Sequence, residues 1–573
     1  MPASYLSGDH AVSNDSDATP HQYIPVLIDD LRSGNVSRRE FLRTATLLGL
    51  SAMTAYKLSG EANPFISNAQ AADALPKGGH LRIGMRCMEI KSPHQADFAE
   101  KSNVIRQVCE YLTFTGNDNI TRPYLLERWE VSDDLKTWTL HIRKDVKWHN
   151  GRALSADDVV WNLKRVCDPA VGSSQLGLFT GYLVQEYDSG QKDASGKPKK
   201  ASRIWSDRAI EKVDDLTVRL NCFAPQIAVP EHLFHYAMFI TDPADKGLFG
   251  AGFNGTGPFE LTSYTVGKSA VYKARKDYWG TGPYLDSFEF VDLGDSAGAG
   301  ISAMASRQVD GLSEADAVQV NAMKRLPHVQ PYSVLTSQTG VARMRVDHKI
   351  LGDPRVRKAM KLAIDHQKVI ATSLLGAGTS AEDHHVAPVH PEYYALPKYS
   401  RDVAQAKKLL AEAGYPNGFE IDMVTRPDPI WELNTVQALA EQFKDIGVKV
   451  NIKPLPSAQY WEVWTKVPFS LTGWGHRPLG VMTLSLAYRT NAAWNESGYA
   501  NPEFDALLDE ANGILDPKKR SVVMAKIEKL MQEDGPIVQP FWRAFSTVMD
   551  KKVKGFSVHP SQYIFANQYA VGS

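Results

Sequence analysis

The sequence predicts an α/β protein built from several domains. Its 573 residues exceed one ordinary domain, since about 150 residues per domain suggests three or four. The composition, 43% hydrophobic and 23% charged, is that of a globular protein. Residues 419–452 read as alternating apolar residues, then an apolar helical repeat that stops at Gly447, then a second alternation. This βαβ pattern predicts parallel strands in the C-terminal half.

The balance of charges and the small number of cysteines exclude several classes of protein. Lys plus Arg is 64 and Asp plus Glu is 65, so no long-range field attracts nucleic acid or an anionic membrane. Four cysteines are too few for a disulfide scaffold and lack the CxxC spacing of a zinc site. Their possible pairing stays open, and they are Cys87, Cys109, Cys167 and Cys222.

Residues 1–71 are predicted to be an export signal of the twin-arginine type. Arg38 and Arg39, followed by Phe41 and Leu42, precede an uncharged stretch over residues 44–56. Small residues at 69 and 71 then match a signal peptidase site. The apolar stretch is shorter than the roughly 20 residues that span a bilayer. The alternative is a basic amphipathic N-terminal helix. The signal predicts the periplasm as location and the twin-arginine translocase as partner.

The mature chain opens with strand and helix signals. Residues 81–86 are predicted to form a first strand, and residues 138–142 alternate as a half-buried strand should. Ser155 and Asp158 then form a capping box before a helix whose apolar residues recur at 159, 163 and 166. Between residues 190 and 200 the only apolar residue is an alanine, which predicts a solvated loop.

Three helices of the second half carry explicit boundary signals. Asp353-Pro354 and Asp516-Pro517 each combine a capping side chain with a first-turn proline. The helix predicted over 402–413 ends at Gly414.

Catalytic, cofactor and metal motifs are rejected. Gly250, Gly252 and Gly255 satisfy GxGxxG, but residues 259–264 after them read as a strand, whereas a dinucleotide fingerprint opens a helix. His384, His385 and His390 lack a carboxylate or cysteine at ligand spacing and are assigned to a solvated, proline-rich loop. GxSxG and HExxH are absent from the sequence. We therefore expect no cofactor, no metal and no catalytic residue.

Five segments together resemble one family, the extracellular solute-binding proteins of family 5, which are periplasmic components of ABC importers for dipeptides, oligopeptides and nickel chelates. The segments lie at 126–159, 255–259, 353–359, 406–415 and 501–505. The longest contains LERWEVSDD, WTLHIRKDVKWHNG and SADDV, and the others read GTGPF, DPRVRKA, AKKLLAEAGY and NPEFD. The resemblance covers roughly residues 78–560.

The resemblance implies a periplasmic binding protein of type II, with two lobes hinged around a ligand and an extra domain in the N-terminal half. Lobe I would comprise residues 72–112, 255–335 and 541–573. The extra domain would be residues 113–254, and lobe II residues 336–540. Most of the quoted residues are turn glycines, prolines and core positions, so they identify the family without contacting the ligand.

The ligand residues are predicted from the segment that departs from the family. Peptide-binding relatives carry an aspartate there for the peptide ammonium group, whereas residues 471–480 read LTGWGHRPLG, without a carboxylate. Arg477 offers a planar fork to a carboxylate or phosphate, with an ion pair to the other lobe as the alternative. The predicted ligand-binding residues are Trp474, His476, Arg477, Trp431, Trp494 and Met88; for each tryptophan, core packing is the alternative.

The resemblance implies capture of a solute and delivery to an inner-membrane ABC permease, without chemistry on the ligand. Peptide-like solutes lead by resemblance, while opines, chelated metal and oligosaccharides stay open. We expect a monomer that binds no nucleic acid. The alternative from another class is a secreted hydrolase acting on a peptide or saccharide.

Overall fold

The computed structural model describes residues 21–50, 52–60, 75–192, 198–294 and 296–572. Its α-helices are α1 Ile24–Arg32, α2 Arg38–Leu47, α3 Ala52–Ser59, α4 Ala99–Ile105, α5 Ala156–Val166, α6 Leu176–Phe179, α7 Val229–His232, α8 Ala297–Ala305, α9 Ala317–Met323, α10 Pro354–Leu362, α11 His366–Ser373, α12 Val403–Glu412, α13 Ile430–Phe443, α14 Ser457–Val463, α15 Gly480–Ala487, α16 Pro502–Asn512 and α17 Pro517–Asp534. Its β-strands are β1 His80–Gly84, β2 Thr113–Thr115, β3 Thr121–Pro123, β4 Leu126–Val131, β5 Thr137–Ile142, β6 Val184–Lys192, β7 Pro198–Ile204, β8 Ile210–Asp214, β9 Thr217–Asn221, β10 Phe259–Thr265, β11 Ser269–Ala274, β12 Ser287–Val291, β13 Gly311–Leu312, β14 Val329–Met344, β15 Gly378–Ser380, β16 Glu420–Thr425, β17 Lys449–Pro454, β18 Phe469–Trp474, β19 Ile537–Val538, β20 Phe541–Asp550, β21 Val553–Lys554 and β22 Ala570–Val571.

One mixed sheet runs through the α/β part of the molecule in the order β10-β11-β12-β1-β13-β20-β14-β18-β16-β17. At one end β1 pairs in parallel with β12 and β13, and at the other β16 pairs in parallel with β17 and β18. The long antiparallel strands β14 and β20 join the two ends, with a register shift between Leu335 and Gln338. The predicted α/β class and the predicted parallel βαβ unit are confirmed.

A four-stranded antiparallel sheet, β4-β5-β9-β8, lies apart from the mixed sheet. On β5, Trp138, Leu140 and Ile142 are buried and the residues between them are half-buried, as the alternation predicted. Helix α5 begins at the predicted capping box, because Asp158 accepts a hydrogen bond from the backbone N–H of Ser155 at 3.0 Å. The family-like residues of this stretch therefore serve the fold, as buried positions of a strand and as the cap of a helix.

The predicted helix boundaries in the second half are confirmed. The side chains of Asp353, Asp402 and Asp516 each accept a backbone N–H in the first turn of α10, α12 and α17. Gly414 and Gly447 have φ of +91° and +78°, a region that glycine occupies without strain. The loop predicted over 190–200 is wrong at its ends, which belong to the paired strands β6 and β7, while its centre at 193–197 lies outside the described residues.

The N-terminal helices pack against the folded chain. Phe41 and Leu42 of α2 are buried with Ile120, and the Trp129 indole N–H donates to the Leu47 carbonyl at 2.7 Å. The signal peptidase site predicted at residues 68–71 lies outside the described residues. Among the helices that the structure describes, none is both long and apolar enough to cross a membrane.

Candidate functional site

The loop that carries Arg477 leaves the carboxyl end of β18 and is fixed to β14. Ser337 lies at the register shift of β14, and its hydroxyl accepts from the Arg477 backbone N–H at 3.0 Å. The Ser337 backbone N–H donates to Nδ1 of His476, also at 3.0 Å. The loop is therefore held at the point where the long strand changes its pairing.

His476 connects this loop to the N-terminal half. Because Nδ1 accepts from Ser337, Nε2 carries the proton and donates to the Asn119 side-chain oxygen at 2.9 Å. Burial, followed by the charge of neighbouring groups that include Arg477, holds the pKa of His476 well below its usual 6.5. The ring is neutral at physiological pH, and it links the region predicted as lobe II to that predicted as the extra domain.

Arg477 is a buried cation. Its side chain belongs to a residue only 4% exposed, and Nη1 donates to the Gly475 carbonyl at 2.9 Å. Its guanidinium carbon lies 5.9 Å from the ring centres of both Tyr236 and Trp474. Within the described part of the chain, its Nε has no hydrogen-bond partner and no carboxylate pairs with the group. The predicted alternative, an ion pair to the other lobe, is not seen there.

The histidines around Arg477 are neutral and add no second positive charge. Burial lowers the pKa of His235 and His385 well below 6.5, and the Arg477 charge lowers both further. The His385 Nδ1 lies 2.7 Å from the Tyr488 hydroxyl, and the His235 ring centre lies 4.2 Å from that of Tyr236 with the two rings tilted by 40°. Both histidines stay neutral, so Arg477 supplies the positive charge among these three residues.

Two predicted tryptophans lie beside Arg477. The Trp474 indole N–H donates to Glu496 at 2.9 Å, and its ring meets Trp494 edge to face at 6.0 Å. Glu496 also faces Arg343 at 3.3 Å and is fully buried, so Trp474 is tied into a polar network of the core. Trp474, Trp494, His476 and Arg477 are therefore brought together, while the N–H of Trp474 is already in use.

Trp431 and Met88 lie elsewhere. A Cβ atom added to Gly473 would contact the Trp431 ring at 3.2 Å, which puts that ring on the Gly473 face of β18. Successive strand residues face opposite sides, so Trp431 and Trp474 lie on opposite faces. Met88, in the loop after β1, is half-buried, and its carbonyl accepts from the Tyr264 hydroxyl.

Two arginines that donate to carboxylates, Arg426 and Arg543, were not predicted from the sequence. Arg426 donates to Glu432 at 2.9 Å, and Arg543 donates to Glu314 at 2.6 Å. Arg426 follows β16 as Arg477 follows β18, and these two strands are parallel neighbours. Ligands of α/β proteins bind outside the carboxyl ends of parallel strands, which is the signal that points to Arg426.

The histidine-rich loop is buried, so its assignment to solvent was wrong. His384, His385 and His390 are 0%, 1% and 3% exposed. The Nε2 of His390 lies 3.0 Å from the Arg477 carbonyl, which adds a further anchor for the site loop. Among the described residues, no group of three or more His, Cys, Asp or Glu side chains is arranged to hold a metal. The four cysteines are buried free thiols.

The residues of the predicted export signal divide between solvent and core. Arg38 and Arg39 are exposed, and Arg39 donates to the Asp118 carbonyl at 3.1 Å, whereas Phe41 and Leu42 are buried. A cavity of about 500 Å³ lies beside this helix, and its lining includes Arg39, Glu40, Arg43, Asn119, His390 and Lys518.

Charged side chains join α2 to two distant parts of the chain. Arg43 faces Glu231 at 3.8 Å and Glu392 at 4.0 Å, while Arg520 faces Glu40 at 3.4 Å. Arg43, Glu231, Glu392 and Arg520 are at most 4% exposed. Helix α2 thus bridges the region predicted as the extra domain and that predicted as lobe II.

Comparison with known proteins gives the family. Residues 121–496 match "Bacterial extracellular solute-binding proteins, family 5 Middle". The dipeptide-binding protein of Escherichia coli K12 is 27% identical over 467 residues, covering 76% of this chain and 84% of that protein. Heme-binding protein A of Haemophilus influenzae is 25% identical over 471 residues, covering 77% and 82%. The fold also matches the binding protein AgaA of A. tumefaciens R10 in complex with agropinic acid, with a TM-score of 0.74, 23% identity, and coverage of 86% and 99%. The chain belongs to the bacterial extracellular solute-binding proteins of family 5, the periplasmic binding components of ABC importers.

Proposed function

We propose that this protein captures a small solute with an anionic group, which Arg477 binds, and delivers it to its ABC permease. The observation that carries the proposal is a buried guanidinium without a carboxylate partner in the described structure. An unpaired buried charge costs several kcal/mol, and a carboxylate or phosphate of the solute offsets that cost. A guanidinium fork also matches the geometry of these groups.

The known relatives fit an anionic ligand. A dipeptide ends in a carboxylate, and heme carries propionates, so the ligands named for the Escherichia coli and Haemophilus influenzae relatives both present such a group. The loop that carries an ammonium-binding aspartate in peptide-binding relatives carries Arg477 here. We therefore place the negative end of the solute, rather than an ammonium end, at this loop, with His476, Trp474 and Trp494 around it.

Binding without chemistry is the second part of the proposal. Family members bind solutes, and we infer that this chain captures its solute by closure of two lobes, divided as the sequence predicts, with Arg477 in contact with the solute. Two contacts of the predicted lobe II with other divisions of the chain support a closed arrangement: His476 with Asn119, and Phe98 edge to face with Trp461 at 6.1 Å.

Mass spectrometry of what copurifies with the native protein tests this function. The protein is denatured, the released compound is identified, and the compound is returned to protein that lacks it. We expect an organic acid that raises the melting temperature and is recovered with its mass unchanged. A cationic compound would contradict the role of Arg477, and a changed mass would support the hydrolase alternative.

We also infer that residues 1–71 direct export of the monomeric protein through the twin-arginine translocase. The support is the Arg38-Arg39 pair followed by Phe41-Leu42. Replacing both arginines with lysine keeps the charge but removes the guanidinium fork. We expect the Lys-Lys variant to stay in the cytoplasm, with secretion of an unrelated Sec-dependent protein as the control. Full periplasmic accumulation of that variant would indicate the general secretory route.

A further inference from the structure

Arg106 is a second buried arginine near the proposed ligand position. It directly follows α4, is 4% exposed, and its guanidinium carbon lies 3.6 Å from the ring centre of Tyr563. The rings of Tyr111 and Phe565 follow at 5.5 Å. Stacking on aromatic faces stabilises a guanidinium, but it leaves the N–H donors in the ring plane unused.

Arg106 has no carboxylate partner within the described residues. Its Nε, Nη1 and Nη2 are buried without a hydrogen bond of good geometry, and the polar groups that interact with the guanidinium are the hydroxyls of Tyr111 and Tyr563. Two other buried arginines have carboxylate partners: Arg343 donates to Glu496 and to Ser470, and Arg357 donates to Asp534. Buried charges are normally paired with an opposite charge, whereas the described chain supplies Arg106 with tyrosine hydroxyls and no anion.

Arg106 and Arg477 flank one group of tyrosines. The Tyr111 ring lies 5.5 Å from the Arg106 guanidinium carbon, and its hydroxyl donates to the Tyr236 carbonyl at 3.3 Å. The charges of both arginines also oppose the rise in the pKa of Tyr563 that burial causes. Tyr236, 5.9 Å from Arg477, is likewise influenced by Arg477 and by Tyr563. The nearby His559 ring, stacked 5.1 Å from Tyr563, has its pKa lowered to about 4 by burial and is neutral.

We propose that Arg106 and Arg477 together hold one oxyanionic group of the solute, a carboxylate or a phosphate, between the two predicted lobes. The proposal rests on the proposed function. It adds Arg106 as a second cation and specifies that the bound group is an oxyanion. Arg106 belongs to the range predicted as lobe I and Arg477 to that predicted as lobe II, so one bound oxyanion would draw both ranges together. The two guanidinium groups repel each other, and an anion bound between them offsets that repulsion.

The test uses inorganic phosphate and acetate as probes, on protein freed of copurified solute by unfolding in urea and refolding. Melting temperatures are recorded against probe concentration at constant ionic strength, with chloride as the balancing anion. The variants are Arg106→Gln, Arg477→Gln, the double variant, and Arg165→Gln. Arg165 is the matched control because it also stacks on an aromatic ring, Trp161 at 5.3 Å, in the region predicted as the extra domain.

We expect at least one probe to raise the melting temperature of the wild-type protein and of the Arg165 variant beyond the chloride control. Each single Gln variant should lose at least tenfold in apparent affinity, and the double variant should lose less than the sum of the two. Stronger stabilisation by phosphate indicates a phosphate ligand, and stronger stabilisation by acetate a carboxylate. Arg106→Lys, which keeps the charge, should recover part of the affinity and serves if the Gln variant does not fold.

The outcomes separate this proposal from the function above. Loss in the Arg477 variant alone overturns the role of Arg106 and leaves the proposed function standing. Wild-type behaviour of both single variants, or no response of the wild-type protein to either probe, overturns both. Lower stability of Arg106→Gln with unchanged probe affinity would mean that Arg106 only stacks on Tyr563.

Discussion

At the scale of single residues, the proposed charge of the ligand depends on Arg477. Its backbone is held by Ser337 and by His390, so truncation of the side chain leaves the loop in place. Losing a buried charge-assisted contact costs about 2 to 5 kcal/mol, and each 1.4 kcal/mol is about tenfold in affinity. We expect Arg477→Ala to weaken binding of the copurified solute by about 30-fold or more, and Arg477→Lys to recover only part, by calorimetry.

Arg489 provides the control for this substitution. It is an arginine of the same region, paired with Asp509 at 2.6 Å on a partly exposed surface. Arg489→Ala should leave the affinity unchanged. Equal affinity of Arg477→Ala and the wild-type protein, together with a lower melting temperature, would make Arg477 a structural residue.

His559 is expected to report on acid stability. Its folded-state pKa of about 4 lies below the unfolded value of 6.5, so the unfolded chain binds the proton first as the pH falls. This histidine therefore stabilises the fold above pH 6.5 and loses that contribution between pH 6.5 and 4, by about 2 kcal/mol at pH 5. We expect urea unfolding to show that the wild-type protein loses about 2 kcal/mol more than His559→Gln between pH 7 and pH 5. Equal losses would show that His559 titrates normally.

Helix α2 is expected to dock through Phe41. The ring is fully buried, and truncation of a buried phenylalanine costs about 3 to 5 kcal/mol. Because only the docking of this helix is weakened, local opening should increase while the remaining fold persists. We expect Phe41→Ala to raise the rate of tryptic cleavage after Arg43 in the precursor by more than tenfold, measured by mass spectrometry of the fragments.

The matched control is Val26→Ala on α1, where the side chain is 50% exposed. It should leave cleavage after Arg43 at the wild-type rate. The same slow cleavage in Phe41→Ala would mean that other contacts, such as those of Arg43 with Glu231 and Glu392, hold the helix.

Elements with local signals were predicted well, and elements defined by distant partners were not. The Asp158 box and the Asp353 cap act within one turn, so the sequence carries their whole cause. The burial of His384 and of Arg106 depends on segments far away along the chain. Arg477 was found because a family pattern fails there, whereas Arg106 follows a short helix and breaks no pattern. That Arg106 has no carboxylate partner among the described residues is visible only when its neighbours are known.

For the whole molecule we expect compaction on binding. The contact of Phe98 with Trp461 joins the predicted lobe I to lobe II, and that of His476 with Asn119 joins lobe II to the predicted extra domain. Small-angle scattering should give a smaller radius of gyration with the copurified solute than without it. An unchanged radius at saturating solute would count against closure of the lobes.

Asn119→Ala offers an independent check of the same motion. It removes one hydrogen bond, worth about 1 kcal/mol, so the closed population should fall about fivefold relative to the open one. The variant should show a larger radius than the wild-type protein at subsaturating solute. Identical curves would mean that the His476 contact does not change with closure.

The packing of α2 gives one helix two competing uses. The folded full-length chain presents Arg38 and Arg39 to solvent but buries Phe41 and Leu42. A receptor that requires the entire RRxFL sequence must first pull the helix away, and its apparent affinity falls by the fraction of precursor with the helix released. An incompletely folded chain lacks the surface on which α2 docks, so the whole RRxFL sequence would be accessible. In the folded chain, docking of α2 would hide Phe41 and Leu42 from the receptor. Export would be gated by how often the leader detaches.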